Sequence, residues 1–115
     1  MLKNELQHLF SLEGVRMVIV IDSEGRVADE MGASNIRGEQ LAAVVAFVMA
    51  ESRAMATRLG QEQISMVFVE FRDLALISVP LRSGYFLVVI TQVGANVGQV
   101  SYEMKKHQDI ISSFL

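Results

Sequence analysis

Catalysis needs side chains that move a proton, attack a carbon or hold an ion, and this chain has few of them in a useful order. Asp22 and Glu24 stand two apart in Asp22-Ser23-Glu24-Gly25, with Asp29 and Glu30 close behind. Paired carboxylates do acid–base work when one of them is buried and keeps its proton. The closing glycine marks this spacing as a turn, which leaves both acids solvated. His8 and His107 lie near opposite ends of the chain. Neither has a local carboxylate arrangement that suggests a triad, and their separation argues against a dedicated metal site. Ser11, Ser23, Ser34, Ser52 and Ser83 lack the elbow that exposes a nucleophilic serine. Cysteine is absent, which removes thiolate catalysis, disulfides and cysteine metal sites. Gly94-Ala95-Asn96-Val97-Gly98 is too short and too poor in glycine to be a dinucleotide fingerprint. No glycine loop is followed by Lys-Ser or Lys-Thr to cradle phosphate. Gly94 reads as a turn residue and Gly98 as a close-packing position. The expectation is a protein that is not an enzyme, with no catalytic residue, cofactor or metal.

With 115 residues, the chain reads as one domain spanning residues 1–115. Apolar residues make up 51% and charged residues 20%, which excludes the disordered class. The mean hydropathy of +0.37 is high, yet no apolar run is long enough to span a bilayer, and direct membrane insertion is not expected. Met1–Leu12 lacks the basic start, apolar stretch and cleavage site of a signal peptide. With no cysteine to oxidise, a cytoplasmic location is the simplest expectation. The net charge is −3, and Lys105-Lys106 is an ordinary solvated pair, so no nucleic-acid partner is expected.

The elements follow from periodicity and punctuation. Leu2 to Glu13 is helical in spacing, and Gly14 stops it. Val15–Ile21 is β-branched and apolar throughout, the pattern of a strand covered on both faces. The Asp22–Gly25 turn leads to a short strand, Arg26–Met31, whose charges suit a sheet edge. A helix follows from about Arg37 to Leu59, capped by Ser34 or Asn35 and ended by Gly60. Ile64–Phe71, Ala75–Leu81 and Tyr85–Thr91 form a three-strand meander. The last helix carries Val97, Val100, Met104, His107, Ile110, Ile111 and Phe114, mostly on one face. The order α-β-β-α-β-β-β-α implies an α+β protein, a five-stranded antiparallel sheet with helices on both faces in an α/β/α sandwich.

Two features sit badly with a monomer. On a helical wheel Leu41, Val44, Val45, Val48, Met55 and Leu59 form one face of the middle helix, expected on the sheet. The opposite side holds Ala43, Ala46, Ala50, Ala54 and Thr57, flanked by Phe47, Met49 and Arg53, and no charge occurs from Leu41 to Ala50. A helix apolar all round is usually covered all round; the plainer alternative is an alanine-rich helix chosen for propensity. Ile64–Phe71 is apolar apart from Ser65 and Glu70. In the sheet interior that needs no explanation, whereas at an edge it is an unprotected template for symmetric pairing with a second copy. Together the two features point to a homodimer with joined sheets and adjacent middle helices. Met49, Ile64, Met66, Phe68 and Glu70 are its expected interface.

The chain also resembles the Roadblock/dynein light chain family along essentially its whole length. The motifs are Glu13-Gly14-Val15 at the step from helix to strand, the Asp22-Ser23-Glu24-Gly25 hairpin, and an alanine-rich helix from Leu41-Ala42-Ala43 to Leu59-Gly60. The Asn96-Val97-Gly98 step opens the final helix, with Val97 where the family often has leucine. The resemblance implies a non-catalytic homodimer, or a heterodimer with a paralogous chain. It implies a regulator or scaffold that binds a small Ras-like GTPase and modulates its nucleotide cycle or localisation, as prokaryotic members do. Ala43, Ala46, Phe47, Ala50, Arg53, Ala54 and Thr57 are the expected partner-binding face. Two competing expectations are a small-ligand sensor of PAS or GAF type, which needs an internal cavity, and a structural adaptor indifferent to any GTPase.

Overall fold

The turns set the order of the elements. In the computed structural model, which describes residues 1–32 and 35–115, they separate α1 (Leu2–Phe10), β1 (Val15–Ile21), β2 (Val27–Gly32), α2 (Gly38–Arg58), β3 (Val67–Glu70), β4 (Leu74–Pro80), β5 (Phe86–Gln92) and α3 (Val97–Ser113). The expected α-β-β-α-β-β-β-α order is present. The strands form one antiparallel sheet in the order β2-β1-β5-β4-β3.

β1, β5 and β4 are apolar on both faces because both faces are covered. On one side Val18, Val20, Ile77, Val79, Leu87 and Val89 pack with Leu6 and Leu9 of α1 and Val100, Met104 and Ile111 of α3. On the other side Met17, Ile19, Ile21, Leu76, Phe86, Val88 and Ile90 pack with Ala42, Val45, Ala46 and Met49 of α2. The result is three layers, α/β/α. Ile110 and Phe114, expected on the buried face of α3, are largely exposed.

Asp22 closes the β1–β2 hairpin. Its Oδ1 accepts from the backbone N–H groups of Glu24 and Arg26, both at 2.9 Å, and its Oδ2 accepts from Arg26 Nε at 2.7 Å. Gly25 takes φ +83°, and a Cβ there would lie 2.7 Å from the Cα of Ala43. The hairpin tip therefore rests directly on α2.

α2 ends as expected, with Gly60 N–H donating to Thr57 O and Gln61 N–H to Ala56 O, the paired bonds of a glycine-closed helix end. Its start differs from expectation. The N-cap is Arg37, with no side-chain cap bond, so Asn35 does not cap; Ser34 lies outside the described residues. β3 is four residues long, shorter than the expected Ile64–Phe71. Its register pairs Val67 with Ser78, so an extension would set Ser65 opposite Pro80, which has no N–H to donate.

Candidate functional site

The middle helix is turned away from the expected phase. Ala42, Val45, Ala46 and Met49 face the sheet, and Met49 is 1% exposed. Alanine at 42 and 46 lets the helix backbone approach the strands closely, which a face of leucine and valine would prevent. Val44, Met55 and Leu59, expected on the sheet, are 60%, 59% and 71% exposed, while Leu41 and Val48 are half-buried. Two expected interface positions are corrected with them. Ala46 and Met49 belong to the core beneath α2 and have no side-chain surface to offer a partner.

The rest of the expected outer face is where the wheel put it. Ala43, Phe47, Ala50, Arg53 and Thr57 are exposed, Ala54 is half-buried, and Phe47 is 65% exposed. Small side chains on either side of one bulky aromatic make a shallow surface with a single anchor. Leu41, Val44, Val48, Met55 and Leu59 add an apolar flank at helical spacing. All buried residues of α2 occur at or before Met49; the turns from Ala50 to Arg58 bury none, yet carry Ala50, Ala54 and Met55. An alanine-rich helix chosen for propensity alone would not display Val44, Phe47, Met55 and Leu59.

The two sheet edges differ in the same way. β2 carries Asp29 and Glu30, Lys3 bonds the carbonyl of Glu30 at 2.9 Å, and Lys3 Nζ pairs with Asp29 at 2.6 Å. Charge and an occupied carbonyl protect that edge. β3 is the other edge. It reads Val67-Phe68-Val69-Glu70, without proline or lysine, and Phe68 is 44% exposed. Phe68 and Glu70 are exposed here, and Ile64 and Met66 are half-buried against the two cores.

Two of the acids weighed for catalysis are engaged structurally. Asp22 and Glu24 both pair with Arg26. The backbone N–H and guanidinium of Arg26 hold the Asp22 carboxyl below its usual 3.8, and Asp22 raises Arg26 in turn. A cavity of about 390 Å³ lies at the end of the sheet, lined by Met49, Arg53, Glu62, Ile64, Phe86 and Asp109 among others. It is partly open to solvent rather than enclosed. His8 and His107, separated in sequence, are brought ring to ring by the packing of α1 on α3, with centroids 4.6 Å apart. Their distance along the chain gave no sign of this.

Among the described residues no helix is long and apolar enough to cross a membrane. A model of the Roadblock/LC7 domain matches residues 1–91. Among solved structures, MglB of Myxococcus xanthus superposes with a TM-score of 0.90 at 23% identity, over 98% of this chain and 93% of that one. An MglB with a tetrameric arrangement gives 0.88 at 21%, over 97% and 85%. The gliding protein MglB of Thermus thermophilus gives 0.87 at 21%, over 97% and 86%. At these identities the likeness shows a shared fold. No curated protein sequence matches the chain.

Proposed function

The chain belongs to the Roadblock/LC7 family, and we propose on that footing that it is a non-catalytic homodimeric platform for a small Ras-like GTPase. The observation that carries the proposal is the coexistence, in one small chain, of an unprotected apolar strand edge and a long helix with a free apolar face. Symmetric pairing of β3 with β3 of a second copy satisfies the open backbone groups of both. The same operation sets the two α2 helices side by side, where Val44, Met55 and Leu59 can pack. The tetrameric arrangement reported for one MglB neighbour is consistent with self-association through surfaces of this fold.

The outermost face, Ala43, Phe47, Ala50, Arg53, Ala54 and Thr57, then forms a doubled surface for the GTPase. Alanines let the partner's backbone come close, and Phe47 is the anchor. The GTPase itself comes from the family resemblance; the surface chemistry supports an apolar protein partner. A pull-down of Ras-like GTPases in GDP and GTP states tests it. Binding that depends on the nucleotide and is lost in Ala50→Arg supports the platform. Binding indifferent to nucleotide favours a structural adaptor, and binding unchanged by Ala50→Arg shows the face is wrongly chosen.

A further inference from the structure

On the sheet face opposite α2, the first and last helices bring together side chains that the proposed docking surface does not use. His8 Nε2 of α1 lies 3.0 Å from Glu103 Oε1 of α3, and His107 Nε2, one turn on from Glu103, lies 3.6 Å from the same oxygen. One ligand atom from each of the three residues falls within 4.8 Å of the others. We propose that His8, Glu103 and His107 form a binding site for a divalent ion of the zinc class, joining α1 to α3.

Three observations carry this. The first is spacing. A tetrahedral zinc ion with bonds of about 2.0–2.1 Å holds its ligand atoms roughly 3.3 Å apart, and the two separations to Glu103, 3.0 and 3.6 Å, bracket that value. The second is the outer partner. His107 Nδ1 lies 2.8 Å from Glu5 Oε1, and both side chains are largely buried. The tautomer that donates from Nδ1 to Glu5 keeps Nε2, 3.6 Å from Glu103 Oε1, as the ligating nitrogen. A carboxylate behind a ligating histidine is a common device for fixing its tautomer and raising its basicity. The third is the donor set, two imidazoles and a carboxylate converging from two helices. A single dication accepts from both imidazoles and the carboxylate at once. Two imidazoles and a carboxylate are borderline ligands suited to zinc rather than to calcium or magnesium. They leave a fourth position open, and half-exposed His8 gives the ion a path in.

Metal-stripped full-length protein titrated with Zn2+ alone, by calorimetry and thermal melting, tests the site, and Co2+ absorption reports the ligand geometry. The expected result is one saturable ion per chain. Tm should rise by on the order of 10 °C at a hundredfold excess over Kd. Co2+ should give a tetrahedral spectrum, lost in His8→Ala and in His107→Ala. His8→Ala is the safer variant for folding, because Leu6 and Leu9 anchor α1 in the core. Glu5→Gln should weaken binding by about 10–100-fold without abolishing it. Absence of saturable Zn2+ binding overturns the proposal, as does unchanged binding in a folded His8→Ala protein. The cluster would then be a hydrogen-bonded tie between helices. Either result leaves the GTPase proposal standing, since that surface lies on the other side of the sheet.

Discussion

Thr91 and Ser78 are fully buried, and neither hydroxyl has a hydrogen-bond partner among the described residues. A hydroxyl taken out of water without a partner costs free energy that an apolar group of the same shape does not. Thr91→Val keeps the shape and β-branching in a central strand. We expect it to stabilise the fold by about 1 kcal/mol, raising Tm by a few degrees in thermal melts. Gly25 and Gly60 make a contrasting pair, since both have positive φ. A Cβ at Gly60 meets nothing within 4 Å, whereas one at Gly25 strikes the backbone of α2. Gly60→Ala should cost about 1 kcal/mol for the left-handed conformation alone. Gly25→Ala should cost roughly 2–4 kcal/mol, with overpacking added, and urea denaturation separates the two. Asp22 adds a pH dependence. Its carboxyl titrates below 3.8 in the folded state, so its contribution is complete above that value. As the pH falls through the lower folded value, the contribution is lost. Denaturation curves at pH 6 and pH 3 should show a smaller stability difference for Asp22→Asn than for the natural chain.

At the scale of elements, much was legible because turns and strands write themselves into sequence. Asp22–Gly25, Gly60 and the continuously apolar Val15–Ile21 each point to one local structure. The phase of α2 was not legible. A wheel chooses a buried face by contrast, and from Leu41 to Ala50 there is no charge to provide it. The sheet selected Ala42 and Ala46 for close approach, a choice made by tertiary fit rather than by hydrophobicity, so Val44, Met55 and Leu59 point outward. The length of β3 was hidden for a similar reason, since it depends on where Pro80 falls in the neighbouring strand. The histidine pair was the least legible feature of all, as His8 and Glu103 are 95 residues apart and meet only once both helices have packed. For the candidate surface the consequence is specific. Phe68→Lys places a charge on the open β3 edge at a side chain that belongs to neither core cluster. It should leave the fold intact by circular dichroism and convert dimer to monomer.

For the whole molecule, the sheet separates two surfaces with different chemistry. The α1–α3 side carries the histidine–glutamate cluster, with Ile110 and Phe114 exposed near the end of α3, and the α2 side presents Val44, Phe47, Met55 and Leu59 to solvent. A protein that functioned as a solitary unit would gain nothing from the exposed apolar face of α2 and would risk aggregation. Ala50→Arg lies on the outer turn of α2, away from the core. It should cut affinity for the proposed GTPase partner by at least tenfold, about 1.4 kcal/mol, while leaving thermal stability unchanged. In the proposed platform two copies join through β3 and α2. Light scattering across micromolar concentrations tests it most directly: the platform requires a stable mass of twice the 12.7 kDa chain, or a multiple of that dimer. A persistent monomer would contradict the account.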